Sequence, residues 1–444
     1  MRGWALPGWI WITCLALLAL PACERCAPSS PAPADSGPPP PPEGPAPLPP
    51  ARPWTFRELR GRLSIAAPEG CRLRAPALRA EVPLSTGFLA ERGSLGALVV
   101  ADASEDASRL VGVSAMRFDA AGTTVEQRPI PWLTPAAAPR LGRTPTGTWA
   151  ATFGERTEAG AFRLGLWRDG AAEIVGEGDR FEAVDLGCAE GRCALLTPRL
   201  GRAAMPGAEV WIGGAEAPVA AFERVVVEPG EPDTDAHPIG IAQIDAAPAG
   251  PSDAGAGAAR PALTVALAEG AEVVFVRVEG ASTREVGRVP APHGALDVLG
   301  LPEPTAMLHG TSVDDDGCVI EPGRPEQAPP APAGSAPGVG RARVRFAQGS
   351  GGAEIQVPAP PLRGALRRLG VGALATWIAP LGCKAARRVV YGVRLDAAGK
   401  PAGAVIPVAD ADRYAVASSG DDVDLWLQDG GAVTWARLTC GSPR

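Results

Sequence analysis

Short apolar or alternating runs of five to nine residues fill the chain after Trp54, and Gly, Asp or Pro turns separate them. Alternation with a period of two and enrichment in β-branched residues are typical of β-strands. No amphipathic stretch is long enough for a stable helix, so the pattern predicts an all-β body. The clearest predicted strands are Gly96–Ala101, Leu110–Phe118, Ala161–Trp167, Ala208–Ile212, Glu272–Val278, Arg388–Leu395 and Val423–Leu427.

A proline-containing phrase closes four of the predicted strands. Proline cannot donate to a strand ladder, so it marks an edge strand or a strand exit. Two low-complexity segments, 229–261 and 321–340, interrupt the series and are interpreted as insertions. Without them the phrases recur at multiples of about 43 to 49 residues, which is the length of one propeller blade. The phrases are Arg128–Pro131, Val289–Pro292, Val357–Pro360 and Ile406–Val408.

The sequence therefore predicts that residues 54–444 form a seven-bladed β-propeller. The last blade has only three strands of its own, and we expect residues 62–66 to supply the fourth and close the ring. Two β-sandwich domains also consist of short strands at regular spacing and are the alternative. The predicted blades are 83–131, 140–180, 181–228, 239–292, 293–360, 364–409 and 412–440.

The N-terminus has the pattern of an export signal. Arg2 is followed by an uncharged run from Trp4 to Leu20, and the run ends in Leu20-Pro21-Ala22-Cys23. This pattern resembles the bacterial lipoprotein signal, with Pro21 where a small residue is usual. The resemblance implies that residues 1–22 are a cleaved signal peptide and that Cys23 carries the acyl chains, such as palmitate. Glu24 rather than Asp follows the cysteine, which by the same resemblance implies the outer membrane. An ordinary signal peptide or a short uncleaved anchor is the alternative.

A proline-rich segment follows the signal. From Ala27 to Pro53 there are 13 prolines, with five in a row at Pro38–Pro42. Such a segment has too few apolar side chains to pack and is expected to be an extended, disordered polyproline II chain. Residues 23–53 are therefore interpreted as a tether that holds the folded body away from the membrane.

The cysteines fit an oxidising compartment. With Cys14 in the signal, Cys23 acylated and Cys26 in the tether, six cysteines remain for three disulfides. Closure of the ring would bring Cys71 near Cys440, and Cys188 and Cys193 flank a four-residue turn. The remaining pair is Cys318 and Cys383. A structural zinc site is the weaker alternative, because lipidation of Cys23 removes the one CxxC pair.

Catalytic and metal-binding patterns are sparse. The sequence holds no GxSxG, and its nearest approach, Gly112–Met116, lies inside a predicted strand. His237 is expected to be solvated in the insertion, whereas His293 and His309 are expected to have packing roles. Three acidic segments stand out: Asp314–Gly317, Asp233–His237 and Ser419–Trp426. The segment Ser419–Trp426 resembles a degenerate Asp-box hairpin of sialidase-type propellers, where the motif is structural.

Composition narrows the function further. Glycine and proline, 55 and 49 residues of 444, are incompatible with a helical bundle. The net charge of −7 argues against a nucleic-acid partner. We therefore expect an outer-membrane lipoprotein, periplasmic or surface-facing, that acts without a cofactor as a non-catalytic interaction or assembly module. Its partners would be the membrane and an envelope protein. A hydrolytic, for example carbohydrate-active, propeller and a metal- or small-ligand-binding sensor are the alternatives.

Overall fold

The computed structural model divides the chain into two compact units, residues 1–46 and 47–444. All described residues belong to the second unit. They are residues 50, 52–59, 65–82, 87–88, 96–103, 110–129, 141–143, 149–156, 162–168, 171–178, 184–189, 191–199, 205–214, 217–230, 235–245, 262–301, 303–311, 342–349, 351–381 and 387–441.

The described residues form antiparallel sheets, each built from strands that follow one another in the chain. Six of these sheets have four strands each. The first sheet contains β4 (Gly87–Phe88), β5 (Ala97–Ala103), β6 (Leu110–Phe118) and β7 (Thr124–Pro129). The second contains β8 (Leu141–Arg143), β9 (Trp149–Arg156), β10 (Phe162–Arg168) and β11 (Ala171–Gly178). The third contains β12 (Asp185–Ala189), β13 (Arg192–Pro198), β14 (Ala208–Gly214) and β15 (Glu223–Val227). The fourth sheet contains β16 (Ala236–Ile244), β17 (Ala262–Glu269), β18 (Glu272–Glu279) and β19 (Ser282–Pro290). The fifth contains β20 (Ala295–Gly300), β21 (Pro304–His309), β22 (Ala342–Gln348) and β23 (Gly351–Val357). The sixth contains β24 (Arg363–Leu369), β25 (Gly372–Pro380), β26 (Arg388–Leu395) and β27 (Ile406–Asp410).

A further sheet contains six strands and joins both ends of the described chain. Strand β30 lies in its middle, with β29 and β28 on one side and N-terminal strands on the other. Strand β3 pairs with residues 432–435 of β30 and β2 pairs with residues 438–440. Its strands are β1 (Arg57–Glu58), β2 (Cys71–Leu73), β3 (Leu78–Glu81), β28 (Arg413–Ser419), β29 (Asp422–Asp429) and β30 (Ala432–Cys440).

The sheets are arranged as a β-propeller. The first strand of one sheet contacts the first strand of the next from β8 through β12, β16, β20 and β24 to β28. Apolar side chains fill the space between neighbouring sheets, as expected for a body whose strands are buried on both faces. One such cluster joins Leu366 and Val408 of the β24–β27 sheet to Val416 and Leu425 of the six-stranded sheet. The prediction of an all-β propeller is confirmed.

The six-stranded sheet corrects two details of the prediction. The N-terminal strands that pair with β30 are β2 and β3, whereas residues 62–66 were expected to close the sheet. Residues 60–64 lie outside the described part of the chain. The Ala66 N–H donates to Val408 O of β27 at 2.9 Å, so it contacts the preceding sheet. Seven blades were predicted, whereas the described residues form six regular four-stranded blades; the remaining sheet is irregular, with six strands. Local sequence could not distinguish residues 62–66 from the segment that carries β2 and β3, because both are short and half polar.

The predicted insertions have different outcomes. Strand β16 (Ala236–Ile244) occupies part of the segment 229–261, and it pairs with β17 along its length. Its alternation of apolar residues was hidden by the surrounding Ala, Pro and Asp. The segment 321–340 and the signal peptide lie outside the described residues, as does the tether apart from residues 50, 52 and 53. The Arg52 N–H donates to Asp102 Oδ2 at 2.7 Å, so the end of the predicted tether contacts the folded body. Among the described residues no helix is long and apolar enough to cross a membrane; a 3₁₀ turn, Val219–Ala221, is the helical element there.

Buried aspartates join neighbouring sheets. Asp185 on β12 accepts the backbone N–H of Leu186 at 2.9 Å through Oδ1 and that of Ile241 on β16 at 2.8 Å through Oδ2. Asp297 on β20 repeats the arrangement toward Leu366 on β24 at 2.8 Å. Each carboxylate thereby satisfies a donor that the edge of the next sheet would otherwise bury without a partner.

Candidate functional site

Two of the three predicted disulfides are present. Cys71 is bonded to Cys440, which are directly opposed on β2 and β30. Cys188 is bonded to Cys193 across the hairpin of β12 and β13. Cys318, Cys383 and Cys23, the residue predicted to be acylated, lie outside the described residues.

The histidines take positions that differ in part from expectation. His237 lies on β16 with an exposed side chain, so it belongs to a regular strand rather than to an insertion. His309 ends β21, and burial together with the charge of nearby His293 lowers its pKa. Its Nδ1 is buried and accepts or donates no hydrogen bond within the part of the chain that the structure describes. Within the described ranges, no three His, Cys, Asp or Glu side chains lie close enough to hold a metal ion. Residues 314–317 and 233–234 lie outside those ranges.

An open cleft of about 740 Å³ lies at the outer edge of the six-stranded sheet. It is formed by the segment that carries β1 and by β3. We refer to it as the edge cleft, and its lining residues are Pro53, Thr55, Arg57, Glu58, Leu59, Arg79 and Glu81.

The edge cleft has an arginine pair at its centre. Arg57 on β1 is directly opposite Arg79 on β3. Arg79 Nε lies 3.3 Å from Glu81 Oε1, whose side chain is 81% exposed. No ion pair holds Arg57 within the part of the chain that the structure describes. Like charges directly opposed on neighbouring strands are unfavourable. Glu58 and Glu81 balance the formal charge of the cleft, and Arg57 is its cation without an ion pair among the described residues.

A smaller pocket of about 200 Å³ lies between the six-stranded sheet and the β4–β7 sheet. It is located where β2 and β3 leave the middle of β30 without a fourth strand. We refer to it as the inter-sheet pocket, and it is lined by Arg74, Gly96, Phe118, Asp119, Ala120, Asp422, Asp424, Trp435, Arg437 and Leu438.

Asp424 is the most perturbed group of the inter-sheet pocket. Only 5% of the residue is exposed, and burial raises the pKa of its carboxyl to about 6. The Gly96 N–H, which donates to Oδ2 at 2.5 Å, and the positive charge of Arg437 lower it less than burial raises it. Gly96 has φ +69°, a conformation that favours glycine. Its backbone therefore directs the N–H to the carboxyl.

Arg437 and Trp435 form the opposite wall. The guanidinium of Arg437 lies 4.9 Å from the centroid of the Trp435 ring, and Trp435 stacks on Trp426 at 4.6 Å. Arg437 Nε is buried and has no hydrogen-bond partner among the described residues. The indole Nε1 of Trp435 lies beside the Asp424 carboxyl without a hydrogen bond of good geometry.

Sequence reasoning named part of this pocket and missed the rest. The Asp-box-like segment Ser419–Trp426 contains Asp422 and Asp424 and forms the β28–β29 hairpin, in keeping with a structural motif. Arg437, Trp435 and Gly96 were not singled out. The alternation of Trp435 and Arg437 on one strand is the available signal, but Gly96 is 328 residues from Asp424 and its role depends on the tertiary fold.

Comparisons with known proteins add no functional assignment. No protein-family model and no curated protein matches the chain. Similar solved structures include the propeller domain of the Trilobed protease from Pyrococcus furiosus, with 10% identity, a TM-score of 0.40, and coverage of 80% of this chain and 97% of that one. Pyrococcus horikoshii acylaminoacyl peptidase has 9% identity and a TM-score of 0.39. The matched region is 76% of this chain and 50% of the peptidase.

A subtype N11 neuraminidase-like protein of A/flat-faced bat/Peru/033/2010 has 9% identity and a TM-score of 0.39, and covers 88% of this chain and 98% of its own. At these values the three likenesses concern the general fold alone.

Proposed function

We propose that this chain is an outer-membrane lipoprotein whose propeller binds a partner protein without catalysis. Acylated Cys23 anchors the chain, the proline-rich tether spaces the body from the membrane, and the edge cleft receives an extended acidic segment of an envelope protein. The opposed arginines of that cleft are the observation that carries the proposal.

Charge and geometry support an acidic, extended partner. Arg57 and Arg79 lie side by side, and a carboxylate between them would relieve their repulsion and form charge-assisted hydrogen bonds. Strand β1 is an end strand of its sheet, and the Phe56 N–H just before it already donates to Gly122 O, so an extended chain would lie along Arg57 and Glu58. The neighbouring Glu58 and Glu81 would limit which acidic sequences fit, since they repel a carboxylate placed out of register.

We further infer that the six-stranded sheet is the seventh blade. Its inner strand β28 contacts β24 of the preceding sheet. On its other side Phe56 and Trp426 share an apolar cluster with Leu98 and Met116 of the β4–β7 sheet. Both neighbours of a ring member are therefore in contact with it.

Binding of a fluorescent hexaglutamate peptide at low ionic strength tests the edge cleft. We expect saturable binding by the wild-type chain and a loss of at least tenfold in affinity in the double variant Arg57→Glu/Arg79→Glu. Arg284→Glu is the matched control, because Arg284 is an exposed arginine on β19 of another sheet. We expect it to change affinity less than twofold. Equal losses in both variants, or equal binding of hexalysine, would overturn the proposal.

The tether has an independent test in the intact mass of protein purified from membranes, reduced and non-reduced. Loss of residues 1–22 with an acyl increment is expected, together with six fewer hydrogens in the non-reduced chain, two for each of three disulfides. An unlipidated mass would contradict the anchor. It would leave the edge cleft as a separate question, because that binding assay uses soluble peptide.

A further inference from the structure

Arg394 on β26 is a buried arginine whose charge no group of the described chain balances. Only 6% of the residue is exposed, and its side chain makes no hydrogen bond or ion pair with any described residue. Its Nε is enclosed by protein atoms, whereas both Nη nitrogens keep contact with solvent. A buried charge without a partner is costly. The guanidinium therefore has a reachable end that can donate to an acceptor from solution.

The guanidinium lies against the turn that leads into β2. The Cys71 N–H donates to Pro68 O at 2.8 Å and closes this turn, in which Gly70 has φ +78°. A Cβ at Gly70 would overlap Arg394 Nη1. Two residues earlier on the same face of β26, a Cβ at Gly392 would lie 3.2 Å from Pro68 Cγ. The turn thus packs on this face of β26, and glycine at position 70 leaves room for the guanidinium.

The carboxylates near this turn do not neutralise Arg394. Glu69 is exposed and forms no ion pair with it; its Oε2 lies beside Gly403, 2.8 Å from where a Cβ would be. Asp396 Oδ1 accepts two backbone N–H groups of its own turn, each at 2.9 Å. Both carboxylates are therefore directed elsewhere, and the end of the guanidinium stays open.

We propose that Arg394 and the turn at Gly70 bind a small free oxyanion of the phosphate class. The two Nη groups can each donate to one oxygen of the same ion, which is the bidentate arrangement that a guanidinium forms with phosphate. Such an ion compensates the charge from the surface, so it needs no enclosed cavity. Its two negative charges attract the guanidinium more strongly than the single charge of acetate does. This site lies on the sixth sheet and does not depend on the partner proposed for the edge cleft.

Isothermal titration calorimetry of the detergent-solubilised full chain at pH 7.5 and constant ionic strength tests the site, with inorganic phosphate as the probe. We expect phosphate to bind at least fivefold more tightly than acetate or dimethyl phosphate, the second of which represents a lipid phosphodiester. Arg394→Met should weaken phosphate binding tenfold or more. Arg388→Gln, at an exposed arginine of the same strand, should change it less than twofold. Glu69→Gln should strengthen it at least twofold, because it removes a negative charge beside the site.

Thermal unfolding provides a second measurement. Without phosphate, Arg394→Met should raise the melting temperature, because an apolar side chain of similar length replaces a buried charge that lacks a partner. Phosphate should raise the melting temperature of the wild type, but not that of the variant, above the value in chloride at equal ionic strength.

Three outcomes would overturn the proposal. The first is equal phosphate binding by the wild type and Arg394→Met, or equal losses in Arg394→Met and Arg388→Gln. The second is binding of dimethyl phosphate as tight as that of phosphate, which would assign the site to a phosphodiester headgroup. The third is a lower melting temperature in both Arg394→Met and Glu69→Gln, which would show that these two side chains pair with each other in solution. If Arg394→Met fails to fold, the difference between phosphate and chloride in the wild type decides.

Discussion

The buried carboxylates of this protein have different environments and therefore different energetic effects. Asp185 and Asp297 each accept backbone N–H groups. Asp297 also accepts a hydrogen bond from Arg367 Nη1 at 2.9 Å. Asp424 is compensated less completely, and its pKa is raised. The distinction depends on how many donors the neighbouring sheet supplies, since each residue lies on a similar apolar strand.

Replacement of Asp185 by alanine should destabilise the protein. The residue is 1% exposed, and its loss leaves the backbone N–H groups of Leu186 and Ile241 buried without an acceptor. An unsatisfied buried donor costs roughly 1–3 kcal/mol, so the midpoint of urea unfolding should fall. Exposed Asp429→Ala should change the free energy of unfolding by less than about 0.5 kcal/mol. Equal midpoints for the two variants would contradict this role of Asp185.

At the level of elements, the N-terminal segment is held by aromatic packing and a few backbone bonds. The Phe56 ring lies 5.1 Å from Phe118 and 5.8 Å from Trp426. The Phe56 N–H donates to Gly122 O at 3.0 Å, and Thr124 Oγ1 donates to Trp54 O at 2.7 Å. These contacts link the segment to the β4–β7 sheet, so Phe56 anchors the edge cleft as well as the core.

Phe56→Ala should both destabilise the fold and release the N-terminal strands. Truncation of a buried phenylalanine costs about 3–5 kcal/mol. Limited proteolysis without denaturant should then cut within residues 50–82 of the variant faster than in the wild type. Phe275→Ala is the matched control, because Phe275 is equally buried in the core of another sheet. Equal cleavage of this segment in both variants would mean that Phe56 contributes only to global stability.

At the scale of the whole molecule, the two disulfides close loops of very different size. Cys71–Cys440 joins residues 369 positions apart, whereas Cys188–Cys193 joins residues five apart. The first links the neighbouring strands β2 and β30, and thereby the N-terminal and C-terminal parts of the described chain, whereas the second crosses one hairpin. A disulfide restricts the unfolded chain more when its loop is longer.

Cys71→Ser/Cys440→Ser should lower the melting temperature more than Cys188→Ser/Cys193→Ser. The chain-entropy relation gives about 6 kcal/mol for the long loop and about 2 kcal/mol for the short one. Differential scanning calorimetry of both double variants and the wild type measures the difference. A larger loss from the hairpin disulfide would show that local strand pairing, rather than ring closure, limits stability.

Much of the architecture could be predicted because strand periodicity and turn residues are local signals. The strand predicted at 423–427 is the core of β29, and that at 388–395 coincides with β26. The Cys71–Cys440 pair followed once a ring was assumed, and the Cys188–Cys193 pair followed from the four-residue turn between the two residues. The site could not be predicted in the same way. Arg57 and Arg79 are 22 residues apart in the sequence and become neighbours only through the pairing of β1 with β3.

The sequence by itself determined an all-β chain of repeated strands and the Cys188–Cys193 pair, and it predicted an acylated tether, because strand periodicity, close cysteine spacing and the lipoprotein-like pattern lie within short windows. The Cys71–Cys440 pair, 369 residues apart, followed only from the predicted closure of the ring. The tertiary structure decided which N-terminal strands join β30, that His237 lies on a strand, and that Asp424 faces Gly96. These features depend on contacts between residues far apart in the chain; burial raises the pKa of the Asp424 carboxyl, and the Gly96 N–H that reaches it lowers that pKa by less.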